Sequence, residues 1–188
     1  MRNKNKKLSI FTPQPIIVSN NLLTQHEENY QSQKKSLHRF LKKFDDKTVT
    51  GINALVDEAS DAAWAKVDCL SCANCCKVMT PTFTKADLKR ISAHFRMSEK
   101  DFYNKWLETD KKNGDKVNRI QPCQFLNLDD NKCSIYEIRP EDCAKFPHFK
   151  RKPFADYNHI HKQNIEYCPA TLTFITHLQE KIESEFEW

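Results

Sequence analysis

Glycine is nearly missing from this chain of 188 residues: Gly51 and Gly114 are the whole supply. Average usage is about 7%, and the shortage excludes whole function classes. Phosphate-binding loops and dinucleotide fingerprints need several glycines so that backbone amides can approach phosphate. A P-loop enzyme, a dehydrogenase or a methyltransferase of the Rossmann kind is therefore disfavoured. Long apolar runs are lacking too. None approaches the roughly 20 residues of a spanning helix, so no membrane insertion is expected. The start of the chain is basic, but Thr12, Pro13, Gln14 and Pro15 interrupt the apolar run that a secretory signal requires. The expected location is cytoplasmic, where thiols stay reduced and bind metals more often than each other. Internal repeats and low-complexity tracts are also missing, and no Ser-His-Asp or Cys-His nucleophile can be argued from residue order.

Charge of one sign is scarce only in places. The net charge of +5 comes from residues 1–48, with ten Lys/Arg against four Asp/Glu, whereas residues 49–188 carry twenty against twenty-one. A basic arm could touch nucleic acid or an anionic surface. A solvated helix face accounts for the same residues, so nucleic acid is not expected as a partner and a protein partner is left open.

Residues 1–22 read as an irregular basic lead-in. Residues 23–68 read as two helices packing on the core. The first, from about Thr24 to Phe44, carries Tyr30, Leu37, Phe40, Leu41 and Phe44 at helical spacing, and the second, from Gly51 to Val67, carries Ile52, Leu55, Val56, Ala59, Ala63 and Val67. Thr84 with Asp87 and Ser98 with Asp101 are capping signatures that open two further helices. Asn113 and Gly114 mark a turn, and Cys123–Leu128 with Cys133–Tyr136, flanking the polar turn Asp129 to Lys132, suggest a small hairpin. Pro140 and Pro169 suit the first position of helices. Cys143 would then lie in a first turn and Cys168 at a cap, where the helix dipole favours a thiolate. Residues 171–188 form a last helix through Leu172, Ile175, Leu178, Ile182 and Phe186, with an acidic end at Glu183, Glu185 and Glu187.

Against these shortages stand eight cysteines, four of them in CLSCANCC, residues 69–76. A chain of this length has no size-driven need for disulfide staples. Four thiolates so close repel one another unless a cation balances them, which makes metal the economical reading. Positions i, i+3, i+6 and i+7 of an ideal helix face one way, and a turn would gather them equally well. Cys-x2-Cys-x2-Cys occurs in the bacterial ferredoxin run, whose last cysteine precedes a proline; here the Cys-Pro is Cys168-Pro169, remote in sequence. Zinc would instead take cysteines in pairs, and eight could serve two ions. Spacing favours an iron-sulfur cluster over zinc. Adjacent side chains rarely both ligate one small ion, so one of Cys75 and Cys76 is a thiol outside the coordination sphere, a ligand to a second metal, or a buried apolar residue.

Cys69-x2-Cys72-x2-Cys75-Cys76, then CQFLNLDDNKCSIYEIRPEDCAKFP, then Cys168-Pro, resembles the YkgJ-type cysteine-cluster family, described as zinc- or iron-chelating domains. Its enzymatic relative is a flagellin lysine N-methylase. The resemblance spans residues 69–170, gives all eight cysteines (Cys69, Cys72, Cys75, Cys76, Cys123, Cys133, Cys143 and Cys168) a place as metal-site residues, and extends to Phe125-Leu126, Ile135-Tyr136, Arg139-Pro140 and Phe146-Pro147. It departs at Ala73-Asn74, where many relatives have a glycine; Asn is the residue expected to take left-handed backbone there. The resemblance implies metal binding. No residues that would hold S-adenosylmethionine can be pointed to, so methyl transfer is not carried over.

Tyr136 is expected in the core, Arg139 in a salt bridge or near the cysteine sulfurs, and Asp142 at a helix cap. His148, His159 and His161 are expected outside the coordination sphere. Trp64, Trp106, Phe125 and Phe174 read as core. The expectation is thus a mostly α, single helical domain with a small β-hairpin, wrapped around a cysteine-ligated metal site. Cys69, Cys72 and Cys75 would supply most ligands, completed by one or more of Cys123, Cys133, Cys143 and Cys168. Whether the chain is an enzyme is left open. The alternatives are a protein lysine N-methyltransferase-like enzyme, by analogy with the relative, and a zinc-organised protein-interaction module.

Overall fold

The computed structural model describes residues 19–47 and 49–185. The lead-in up to Val18, and Phe186 and Glu187 of the expected last helix, lie outside the described residues. Helix α1 spans Ser19–Lys43, so residues 19–22 are helical where an irregular stretch was expected. Its Tyr30, Leu37, Phe40 and Leu41 are buried as one stripe. Helix α2, Ile52–Lys66, buries Val56, Ala59, Ser60 and Ala63. These mostly small side chains let it lie close against α9, Pro169–Glu185, which presents Phe174, Ile175, Leu178 and Ile182. Helix α8, Asn158–Asn164, closes this group: the Asn158 amide donates to the Leu41 carbonyl and, at 2.8 Å, to Asp45, satisfying groups at the end of α1.

Between α2 and α9 the chain builds a second group of elements. Two short helices, α3 (Cys69–Cys72) and α4 (Asn74–Val78), come first. Helix α5, Lys85–His94, opens on a reciprocal capping box: Thr84 Oγ1 accepts from the Asp87 amide at 3.1 Å, and Asp87 Oδ2 accepts from the Thr84 amide at 2.9 Å. Helix α6, Glu99–Trp106, opens on Ser98, which accepts from the Asp101 amide. Strands β1 (Leu107–Thr109) and β2 (Lys116–Asn118) pair antiparallel, Leu107 opposite Asn118 and Thr109 opposite Lys116, across a turn where Gly114 has φ 81°. Helix α7, Glu141–Lys145, follows a short 3-10 turn, with Pro140 at its cap position rather than inside the first turn.

The small hairpin is therefore not where the sequence pointed. The expected strands around Asp129 to Lys132 make a single bridge, Leu126 with Cys133. Local bonds take the ladder's place: Asn127 accepts from the Asp129 amide and Asp130 from the Lys132 amide, both at 3.0 Å, the side-chain competition that Asn and Asp offer to regular structure.

Among the described residues two hydrophobic cores result. One joins α1, α2 and α9 with Phe149, Phe154, Ile165 and Cys168, and α8 packs on α1 and α9 beside it. The other holds Phe83, Leu88, Ile91, Phe102, Leu107, Phe125 and Ile135, with Phe95 and Trp106 against it; Phe102 and Trp106 meet edge to face at 4.9 Å between ring centres. The pairs that pack most extensively, α2 with α9, α1 with α9, β1 with β2 and α5 with α6, each fall within one group, while α3 reaches across to pack on α1. Phe125 and Phe174 are core, as expected, but Trp64 and Tyr136 are not. Trp64 is 42% exposed and leans on Phe149, and Tyr136 is 39% exposed. Among the described residues the chain is mostly helical, with one two-stranded sheet. Among the described residues no helix is long and apolar enough to cross a membrane.

Candidate metal centre

The CLSCANCC stretch is not one helix. Asp68 caps α3 by accepting from the Leu70 amide at 3.0 Å, and Ala73 then turns left-handed at φ 48° before α4 begins. The residue that takes the left-handed turn is thus Ala73, not Asn74. Asn74 instead makes a long-range tie, its side-chain amide donating at 2.7 Å to the carbonyl of Tyr167. That bond holds the start of α4 beside Cys168.

Cys168 caps α9, and its sulfur accepts from the Thr171 amide at 3.4 Å. Together with Cys69, Cys72 and Cys75 it lines a partly open cavity of about 20 Å³, beside Phe146 and Tyr167. A space of this size takes one water-sized or ion-sized occupant.

The other four cysteines lie across α4. The Cys123 amide donates at 2.8 Å to the carbonyl of Cys76. Cys133 is joined to Leu126, whose amide in turn donates to the carbonyl of Cys123. Cys143, on α7, has Cys76, Cys123 and Cys133 as its thiol neighbours. Helix α7 is pinned from the second core. Asp87 accepts from the Glu141 amide at 3.1 Å, Arg90 donates to the Arg139 carbonyl, and Asp142 accepts from the Thr82 amide.

All eight thiols are free, and most are held neutral by their surroundings. Cys72 and Cys168 are buried and Cys69 is exposed; partial desolvation of its sulfur still pushes the Cys69 thiol up to about 12, and burial also raises Cys72, Cys123, Cys133, Cys143 and Cys168. The sulfurs of Cys75 and Cys76 touch at 3.9 Å. The shared hydrogen bond raises Cys75 and lowers Cys76 to about 7. Backbone amides meanwhile favour the thiolates of Cys72, Cys123, Cys133 and Cys168, donated from Asn74, Phe125, Ile135 and both Ala170 and Thr171. Oriented amides of this kind are what a ligating sulfur needs around it. The donor set is chemically suited to a thiophilic cation, whose charge would overcome the cost of burying thiolates.

The structure does not wrap the fold tightly around an ion. Among the described residues, no three Cys, His, Asp or Glu side chains stand ready-made to hold one, so ligation would have to draw the sulfurs inward. The histidines point elsewhere. His161 is fully buried, stacked 4.9 Å from Phe154, with no partner for either ring nitrogen; burial lowers it to about 4. His148 meets Asp142 at 3.2 Å. Asp142 is thus no helix cap but a tie between His148 and Thr82; despite the opposing effect of burial, these two bonds hold its carboxyl below the usual range. Arg139 lies 3.8 Å over the Tyr136 ring and adds positive charge near Cys133. Residue order alone missed Asp87, Asn74 and Asn131 as scaffolding for the cysteines. Asn131, at φ 58°, donates to the Ser71 carbonyl at 3.1 Å, and its place in a polar turn was the only signal for it.

Residues 68–169 match the sequence profile of the CxxCxxCC family, described as a "putative zinc- or iron-chelating domain". A curated relative is the uncharacterized protein MJ0661 of Methanocaldococcus jannaschii, 31% identical over 87 residues, 43% of each chain. The chain thus spans less than half the length of that relative. No solved structure matches this chain.

Proposed function

The chain belongs to the CxxCxxCC family of zinc- or iron-chelating domains, and on that premise we propose that Cys69, Cys72, Cys75, Cys76, Cys123, Cys133, Cys143 and Cys168 are its metal-site residues. The observation that carries this is the gathering of Cys69, Cys72, Cys75 and Cys168 around one small cavity, although Cys168 is far from the other three in sequence. A bound cation would supply the positive charge that keeps buried thiolates ionised.

Spacing in the sequence leans to an iron-sulfur cluster, but the cavity leans the other way. About 20 Å³ suits a single ion, zinc in first place, better than a cubane with its own sulfides. The role of this chain's residues is then to orient sulfurs. Asp68 and Asn74 fix the two short helices, the amides of Asn74, Phe125, Ile135, Ala170 and Thr171 face sulfurs, and Phe146 and Tyr167 line the cavity beside them. Reduced thiols kept for metal suit a cytoplasmic protein.

Metal analysis of anaerobically purified protein, with its visible spectrum, tests the reading. A colourless protein carrying zinc that Cys72→Ser depletes is the expected result. Brown protein with acid-labile sulfide would replace the single ion by a cluster. Metal-free protein that takes up neither zinc nor iron would overturn the assignment.

A further inference from the structure

Resting on the metal-binding reading, we propose that the eight cysteines form two separate four-thiolate centres, Cys69 with Cys72, Cys75 and Cys168, and Cys76 with Cys123, Cys133 and Cys143, so that the Cys75–Cys76 peptide is the boundary between them.

Two observations lead to this division. First, the cavity is lined by Cys69, Cys72, Cys75 and Cys168 and by none of the other four. Cys76 lies outside that lining although its sulfur is 3.9 Å from that of Cys75, and its backbone carbonyl holds the amide of Cys123. Second, the two sets belong to different cores. Cys168 is part of the core of α1, α2 and α9, and α3 packs on α1. Cys123 and Cys133 pack against the other core, and α7, which carries Cys143, is tied to that core through Asp87 and Arg90.

Charge gives the same count. Eight thiolates around one divalent ion would leave a large uncompensated negative charge among buried groups, while two tetrathiolate sites share it evenly. Cys75 and Cys76, whose sulfurs lie 3.9 Å apart, would each face their own cation. The segment from Cys69 to Val78 is then the joint that fastens each core to its own metal.

The test is metal content of the full-length chain by mass spectrometry. Wild type is expected to hold about two ions. Cys168→Ser and Cys143→Ser should each retain about one, and the pair Cys75→Ser with Cys168→Ser, within one set, should still retain about one. The pair Cys75→Ser with Cys76→Ser, across the boundary, should retain almost none. Where a variant does not fold, titration of wild-type thiols with an organomercurial while released zinc is followed gives an independent reading: release in two phases, about four thiols to each ion. One shared cluster overturns the proposal, and it would show as loss of all metal from any single variant and release in a single phase. A wild type that holds metal but only one ion also overturns the division while leaving the metal assignment standing. A metal-free wild type overturns both.

Discussion

The two halves of this molecule solve the folding problem differently. Among the described residues, the core formed by α1, α2 and α9 buries nineteen residues, thirteen of them on those three helices in regular apolar stripes. The core under α5 and α6 buries seven: Leu88, Ile91, Phe102 and Leu107 on helices of ten and eight residues and a three-residue strand, and Phe83, Phe125 and Ile135 outside regular elements. Each buried apolar side chain contributes about 1.5–3 kcal/mol, so the larger core has the means to persist by itself. The smaller one falls in the range where metals or other cross-links are usually required. It compensates with specific polar ties, most of them converging on Asp87 and α7, and with clustered aromatic rings. Cysteines placed between unequal cores therefore matter unequally to them.

Metal removal should expose this asymmetry with the largest effect. Chelation is expected to lower stability by several kcal/mol, toward the ~10 kcal/mol scale of structural zinc sites. In hydrogen exchange, α5, α6 and the β1–β2 pair should lose protection while α2 and α9 keep theirs. Uniform loss in both halves would break the comparison.

A smaller effect is expected from the polar hub. Asp87 has a side chain only 1% exposed. Burial alone would raise its pKa, but bonds from Thr84, Arg90 and the Glu141 amide outweigh it and leave the carboxyl below its ordinary value. A depressed carboxylate contributes stability that is present above its unfolded pKa of about 4 and is lost as pH falls through the folded value. Asp87→Asn should therefore cost about 2 kcal/mol at neutral pH and flatten the acid limb of the stability curve. Thermal melts from pH 7 to pH 3 would detect it, and an unchanged acid limb would assign that limb to other carboxylates such as Asp142.

Smallest is the effect of Asn74→Ala, which removes the bond to the Tyr167 carbonyl at 2.7 Å. The expected cost is about 1 kcal/mol, with weakened metal retention confined to Cys69, Cys72, Cys75 and Cys168. Competition with a chromophoric chelator measures it. Equal weakening of all metal would show that the two sets of cysteines are not independent.

The larger half was easy to read in the sequence and the smaller half was not. Leu37, Phe40 and Leu41, or Leu178 and Ile182, announce a buried helix face by period alone, and Thr84 with Asp87 announces a cap within four residues. The region from Leu107 to Cys143 has no such periodicity. Its turn at Asp129 to Lys132 looked like a hairpin, yet Asx bonds close it after a single bridge, and the real strands lie around Gly114. Trp64 and Tyr136 looked like core because their residue types are apolar. Both are part exposed, Trp64 tilted against Phe149 at 5.5 Å and Tyr136 beneath Arg139 at 3.8 Å.

By itself the sequence determined the helical class, the exclusion of glycine-loop nucleotide sites and the crowding of thiols that calls for a cation, because these follow from composition and short-range spacing. Only the tertiary structure decided which thiols meet. Cys168 joins Cys69, Cys72 and Cys75 because α9 must begin where its apolar face can lie on α2. Cys143 meets the smaller core because Asp87 and Arg90 hold the Glu141 amide and the Arg139 carbonyl at the start of α7. Neither meeting is encoded locally: each is a by-product of burying apolar surface elsewhere in the chain.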